Sequence, residues 1–278
     1  MYIGTVQQVW RYPVKSMGGE SLDAATIGSG GIVNDRGWAL QEAATGKVAS
    51  AKNPRAFGAL LDYVATVDGD SEHAVVTITG PEGFAVQTSD GRHDARLSDA
   101  IGRPVTFERA GDVDALYESE WPDMEGLVIS NMSLDLPVAM STEKTSFVDL
   151  AAMHLLSTAS LHTLAALAPD AAVDVRRFRP NLVIDTGDAT GFVDTDWVGY
   201  EVELGARVVL RITDNATRCV MTTLAQGSLP QDRNVLKTLA VENQQEFGGL
   251  GRSACFGVYA EVVTGGSVRV GDEVRIRT

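Results

Sequence analysis

The stretch VELGARVVLRITDNATRCVMTT, residues 202–223, decides the fold reading. It opens with two short β-branched runs, Val202–Leu204 and Val208–Thr213, parted by Gly205-Ala206-Arg207. Brief runs rich in Val, Ile and Thr, broken by Gly, read as short strands joined by tight turns. The same grammar recurs at Thr5–Val9, Val75–Thr79, Val258–Val263 and Val268–Ile276, with Gly, Asp and Asn between. Many short strands with frequent turn signals point to a barrel or sandwich rather than a doubly wound sheet. Glycine, at 28 of 278 residues, supplies those turns; Gly28, Gly30 and Gly31 form one such β-turn cluster. There is no internal repeat and no low-complexity tract.

Helix signals are few. Thr158–Ala168 is the clearest, with Thr158 as cap, Leu161, Leu164 and Ala165 on one face, and Pro169 as stop. A second is expected over Asn234–Gln245, with Leu236, Leu239, Ala240 and Asn243 on one side. Ser119–Asp135 mixes acids, Pro and isolated apolar residues, and reads as a connecting loop or lid. Trp38–Arg109 is strand-like without a cluster of catalytic residue types, which makes it a supporting module. The fold class is mainly β with a few helices (α+β).

Charge narrows the partners. With 23 Lys+Arg against 37 Asp+Glu, the net charge of −14 disfavours nucleic acid and anionic membrane. No apolar run approaches the roughly 18 residues of a membrane span. The N-terminal MYIGTVQQVWRYPVKSM lacks the features of a signal or transit peptide. Two cysteines, Cys219 and Cys255, cannot build a disulfide framework, so a reducing, cytoplasmic location is expected.

Most residues that carry chemistry elsewhere are scattered here. His73, His93, His154 and His162 show no metal-ligand spacing, and His154 and His162 read as satisfied structural histidines. No GxSxG, Walker loop or GxGxxG follows a strand, so serine hydrolases, P-loop enzymes and Rossmann dehydrogenases lack support. Cys219 differs, because Arg218 precedes it and a neighbouring guanidinium favours thiolate over thiol. Its bland alternative is a small buried hydrophobe on a strand. Cys255, among small and apolar residues, reads as core packing. Several segments have the chemistry of an anion site. Tyr12-Pro13-Val14-Lys15-Ser16 ends a strand with a cation and a hydroxyl, and Asn34-Asp35-Arg36 adds a second cation. LLSTASLHTL puts Ser157 and Thr158 at a helix start. Arg176-Arg177-Phe178-Arg179-Pro180-Asn181 concentrates three more cations in an acidic chain. Taken singly, each of these segments reads as a solvated patch.

Taken together, PVKS (13–16), DRGW (35–38), LLSTASL (155–161), RFRPN (177–181), TRCVMTT (217–223), and FGVYAEV with VRVGD (256–272) resemble the MOSC-domain family. The likeness is to its two-part members, such as amidoxime-reducing components, and covers nearly the whole chain. It implies a MOSC β-barrel core from residues 1–37 and 134–278, with an inserted, mostly β domain and connecting loop at 38–133. It also implies a molybdenum cofactor (molybdopterin). By resemblance, Cys219 coordinates molybdenum, and Lys15, Ser16 and Arg36 lie near the pterin phosphate and pyran side. Ser157 and Thr158 supply a helix-start contact, Arg179 and Asn181 the RPN contacts, Thr217 and Arg218 flank the metal ligand, and Tyr259 lies nearby. The implied activity is reduction of N-hydroxylated or N-oxide-type small molecules, fed by a separate electron-donor redox protein. The alternative is a cofactor carrier or a sulfur-transfer protein with a persulfide on Cys219. One departure falls after RCVMTT, where many relatives continue Val-Asp-Pro and this chain has Leu224-Ala225-Gln226-Gly227.

Overall fold

The strand Tyr2–Arg11 lies at the centre of the architecture. In the computed structural model, which describes residues 1–71, 74–111, 115–121, 132–139, 146–246 and 251–277, it pairs with Leu182–Asp185 on one side and Glu273–Arg277 on the other. The sheet continues through Glu201–Leu204, Val208–Thr217 and Arg252–Thr264 to Met153–Ser157, which pairs back onto Leu182–Asp185. Seven strands thus close into a barrel, and closure leaves none of the seven as a free edge. His73 lies outside the described residues.

Alternation along the strands makes the barrel wall two-faced. Val202, Leu204, Leu210 and Ile212 point inward with Val6, Leu155, Ile184, Val258, Val274 and Ile276. Each such side chain contributes roughly 1.5–3 kcal/mol by leaving water. Between them, Glu201 and Glu203 face outward, where Arg211 and Arg277 meet Glu201 at 3.0 and 3.2 Å. All barrel pairings are antiparallel except Met153–Ser157 with Leu182–Asp185. A parallel pair needs a crossover, and the helix Thr158–Leu167 supplies it. Leu164 packs this helix onto Leu156, Phe178, Leu239 and Phe256.

Outside the barrel, Trp38–Glu42 pairs with Val105–Arg109, and Val64–Asp68, Val75–Thr79 and Ala85–Gln87 form a three-stranded sheet. Met17, Leu40, Leu60, Tyr63, Ile78 and Leu97 fill a second core between them. The main corrections to the sequence reading fall in this half and at element ends. Of Ser119–Asp135, expected as loop, the described ends 119–121 and 132–135 lie in two paired strands, Leu116–Trp121 and Met132–Pro137, and 122–131 lie outside the described residues. The pair shields little apolar surface, with Leu116 and Leu134 over 40% exposed, so the usual strand signal is diluted. The helix His93–Ile101 was not foreseen; it buries only Leu97 and has no side-chain cap. The run Val268–Ile276 is two strands, Gly266–Arg269 and Glu273–Arg277, parted by a turn at Gly271. The cap of the crossover helix is Ser157, whose hydroxyl accepts from the Ser160 amide at 3.0 Å, and not Thr158. The last helix stops at Glu242, because Gln244–Glu246 turns into a strand against Arg252–Thr264.

Gly257 marks a tight place in the barrel wall. Its φ is +78°, and an added Cβ would meet the Leu155 carbonyl at 2.4 Å and His154 Nε2 at 2.5 Å. Gly257→Ala is expected to destabilise the protein by about 1–3 kcal/mol in denaturant unfolding. Gly28→Ala, with open space around its Cβ, is expected to stay within about 0.5 kcal/mol. Equal midpoints for the two variants would refute this reading of the wall.

Candidate functional site

A buried carboxylate gathers the segments of the site. Asp35 accepts from the Tyr12 amide at 2.7 Å through Oδ1, and from Asn181 Nδ2 at 3.0 Å and Arg36 Nη1 through Oδ2. YPVKS, NDRG and RPN, far apart in sequence, thereby converge. Asn181 extends the knot, since its Oδ1 accepts from the His154 amide at 3.1 Å. Arg36 Nη2 donates to the Arg179 carbonyl at 3.0 Å, and Arg179 Nη1 donates to the Met17 carbonyl.

Three of the residues singled out in sequence hold backbone conformations that L-residues rarely adopt. Ser16, Arg36 and Arg179 have φ of +64°, +48° and +55°. Each costs on the order of 1–3 kcal/mol unless its surroundings over-determine it. Arg179 also precedes Pro180, where extended backbone is the norm. Such strain concentrates where side chains must be aimed rather than merely packed.

The guanidinium groups of Arg36 and Arg179 lie over the Tyr12 ring at 4.6 and 4.3 Å. Burial, and next the like charge of Arg36, push Arg179 down to about 10. Burial likewise pushes the Tyr12 phenol up, so it remains a neutral O–H donor. Among the described residues that hydroxyl has no hydrogen-bond partner, although Tyr12 is 1% exposed. An orphaned buried donor between two crowded cations is the complement of an anion.

A second charge cluster adjoins the first. Lys15 Nζ donates to the Phe147 carbonyl at 2.9 Å and pairs with Asp149, while Lys52 reaches the same carboxylate at 3.0 Å and Tyr117 Oη at 3.2 Å. Burial pushes the Asp149 carboxyl up, but the two ammonium groups prevail and hold it well below the carboxylate range. Lys52 is opposed by burial, yet Asp149, Tyr117 and Cys219 beside it keep it protonated. Lys15, by contrast, is lowered by burial more than Asp149 raises it.

Cys219 arrives at the end of the strand Val208–Thr217. That strand slips register against Arg252–Thr264 between Ile212 and Asp214 and again between Asn215 and Thr217. Such irregularities re-aim a chain as it leaves a sheet. Arg218 Nη1 then donates to the Phe178 carbonyl at 3.0 Å, and its guanidinium lies 5.9 Å from the Tyr259 ring centre. His154 stacks edge-on to Tyr259, with Nε2 3.1 Å from the Phe256 carbonyl. The same nitrogen lies 3.4 Å from Arg218 Nη2. Burial and then Arg218 keep the ring neutral. Cys219 is half-exposed; Cys255 is buried, as expected, with its thiol pushed up to about 11 by burial.

Lys15, Arg36, Arg179, Asn181, Arg218, Cys219 and Tyr259 therefore share one network of contacts and charges. Ser16 plays a supporting part, accepting the Ala51 amide at 3.0 Å and so fixing the segment that carries Lys52. Thr217 pairs with Cys255 through the sheet. Ser157 and Thr158 are committed elsewhere. The Ser157 hydroxyl donates to buried Asp194, and Thr158 Oγ1 shares a 3.3 Å contact with Thr186 and accepts its amide at 3.1 Å. Sequence reading missed Tyr12, Asp35, Lys52, Tyr117 and Asp149. Lys52 corrects the picture of 38–109 as chemically quiet.

Among the described residues, no three His, Cys, Asp or Glu side chains converge on one point, so the group to test for fit is a metal carried by an organic ligand. The donor set fits such a group. Five cations against two carboxylates, an unpaired phenol and one accessible thiol suit an anionic, phosphate-bearing organic ligand whose metal takes a soft sulfur donor.

Comparison with known proteins agrees with this architecture. The family model for the MOSC domain matches residues 142–275, and that for the MOSC N-terminal beta barrel domain matches residues 3–119. The chain is 25% identical over 293 residues to a Bos taurus protein named mitochondrial amidoxime reducing component 2, covering 98% of this chain and 83% of that one. It is 26% identical to mitochondrial amidoxime-reducing component 1 of Mus musculus, covering 98% and 82%. Molybdenum cofactor sulfurase of Oryza sativa subsp. japonica is 25% identical over 82% of this chain, which spans 30% of that protein. With a barrel, a thiol-bearing strand end and both domains along its length, the chain is a two-part MOSC-domain protein.

Proposed function

We propose that this protein is a molybdenum-cofactor-binding oxidoreductase that reduces N-hydroxylated or N-oxide-type compounds, with Cys219 as the protein ligand to molybdenum. Relatives named for amidoxime reduction and for molybdenum cofactor sulfuration support a molybdenum-cofactor-associated function. The observation that carries the finer reading is the unpartnered Tyr12 hydroxyl beside Arg36 and Arg179, in the same charge network as the half-exposed Cys219.

The bound cofactor would supply a metal centre able to exchange two electrons with an N–O bond. The chain supplies the rest. Arg36, Arg179 and the Tyr12 hydroxyl hold the phosphate-bearing end, and Asn181 keeps Asp35 from swinging onto it. Arg218 and neutral His154 brace the Tyr259 wall. Lys52 keeps its proton at Nζ, held toward Asp149 and Tyr117, so positive charge stays at the site without a mobile ion. The core boundaries proposed from sequence, 1–37 with 134–278 around 38–133, fit a site to which both halves contribute. Electrons would come from a separate redox protein, whose docking on so acidic a chain should weaken with salt. No helix among the described residues is long and apolar enough to cross a membrane. With two free thiols, we place the protein in the cytoplasm.

Cys219→Ser is expected to abolish reduction of an amidoxime by viologen-reduced, cofactor-loaded protein and to lower its molybdenum content, because a hydroxyl is a poor soft-metal ligand. Cys255→Ser is expected to change neither. An inactive wild type that instead releases cyanide-labile sulfur from Cys219 would favour the sulfur-transfer reading.

Arg179→Ala and Lys15→Ala are each expected to cut cofactor affinity tenfold or more, since a charge-assisted contact is worth roughly 1.5–3 kcal/mol. Tyr12→Phe removes one neutral donor and is expected to have a smaller effect. Molybdenum per chain after gel filtration measures all three, and full occupancy in the Lys15→Ala/Arg179→Ala double variant would reduce the cluster to a solvated face.

A further inference from the structure

We propose that Arg177 is a positioning residue for Cys219, holding in place the segment that follows the thiol. Arg177 is 1% exposed, and it is the largest of the fully buried side chains. Its hydrogen bonds all run to backbone carbonyls. Nε donates to Ala172 at 2.7 Å, Nη1 to Leu224 at 2.9 Å and Thr222 at 3.3 Å, and Nη2 to Pro230 at 2.6 Å. Three of these four acceptors lie within eleven residues after Cys219.

The link to the thiol is short. Thr222, whose carbonyl meets Arg177, donates its amide and its hydroxyl to the Cys219 carbonyl at 3.2 and 3.0 Å. Val220–Thr223 is a single tight turn, too short to hold its own shape without such ties. Beyond it, Gln226 and Leu229 exchange two 3.0 Å backbone bonds, and the Gly227 amide reaches Asp62 at 2.9 Å. Asp232 closes the far end, accepting the Ala172 and Asn234 amides at 2.9 Å each. The segment is thus a strap that follows the thiol, pinned at Thr222, Leu224 and Pro230 by one guanidinium.

Only a guanidinium suits this task. Its fixed fork presents donors in several directions at once, whereas an ammonium is a point charge on a flexible stem. Removing it leaves the Thr222, Leu224 and Pro230 carbonyls without this donor, and the Gln226–Leu229 pair, Asp62 and Asp232 do not reach them. Arg177 also adjoins Phe178 and Arg179, so the turn that aims Arg179 at the anion site and the strap that carries Cys219 share one anchor. This rests on the proposed function only in taking Cys219 as the working thiol.

The test is made on the full chain, produced in a host lacking the molybdenum cofactor. Alkylation of Cys219 and Cys255 by iodoacetamide is followed by mass spectrometry. In Arg177→Met, Cys219 labelling is expected to accelerate about tenfold while buried Cys255 keeps its rate, because loss of charge-assisted bonds opens the strap locally. Arg177→Lys is expected to fall between Arg177→Met and wild type. Equal acceleration of both thiols, an unchanged Cys219 rate, or failure of both variants to fold would each overturn the inference, since Arg177 would then support the whole fold or nothing near the thiol. The readout needs no cofactor or turnover, so it can fail while the reductase reading stands, and the reverse.

Discussion

Asp35 is the constraint on which the site depends. Two carboxylate oxygens hold a backbone amide of one segment, a guanidinium of its own and an amide side chain of a third. Without that knot, Arg36 and Arg179 would have no reason to crowd one aromatic ring, and their repulsion would drive them apart. Burying a charge is costly unless it is paired and hydrogen-bonded, and here every oxygen contact is directional. The left-handed backbone at Ser16, Arg36 and Arg179 belongs to the same bargain: local strain accepted for side-chain aim.

The two halves of the chain share this site unequally. The barrel delivers Arg218 and Cys219 just after one strand, Arg179 and Asn181 just before another, and Tyr259 from within Arg252–Thr264. From outside the barrel come Lys52 and Tyr117, joined to it through Asp149. Ser16 spans the division, its own residue following the first barrel strand and its hydroxyl tethering Ala51. A site assembled this way has its charge balance set by how the halves close, because Lys15 and Lys52 compete for a single carboxylate.

How much of this the sequence disclosed follows from where the information lies. Barrel strands were legible because Val202–Leu204 and Val208–Thr213 alternate or run apolar between unmistakable turns. The strands flanking 122–131 were not, because their exposed edges carry acids and lone apolar residues like those of a loop. Arg36 and Arg179 stood out because they sit beside Gly37 and Pro180 in an acid-rich chain, where any cationic cluster is conspicuous. Lys52 in SAKNPR and Asp149 in SFVDL occupy ordinary surroundings, and only tertiary closure brings them together. Ser157 misled for a physical reason: a helix start with hydroxyls is a fit place for an anion, and the anion it holds is the protein's own Asp194.

The pairing of Tyr2–Arg11 with Glu273–Arg277 also bears on biosynthesis. The amino group of Met1 reaches the Ile276 carbonyl across 275 residues of chain. On a ribosome working at about 5–20 residues per second, the first strand therefore waits on the order of tens of seconds for its last partner. Throughout that interval it presents an unpaired edge with an apolar face, the kind of surface that chaperones recognise and that nascent neighbours on a polysome can mispair with. Contacts of such long range also slow closure itself, since chain entropy must be lost before they form.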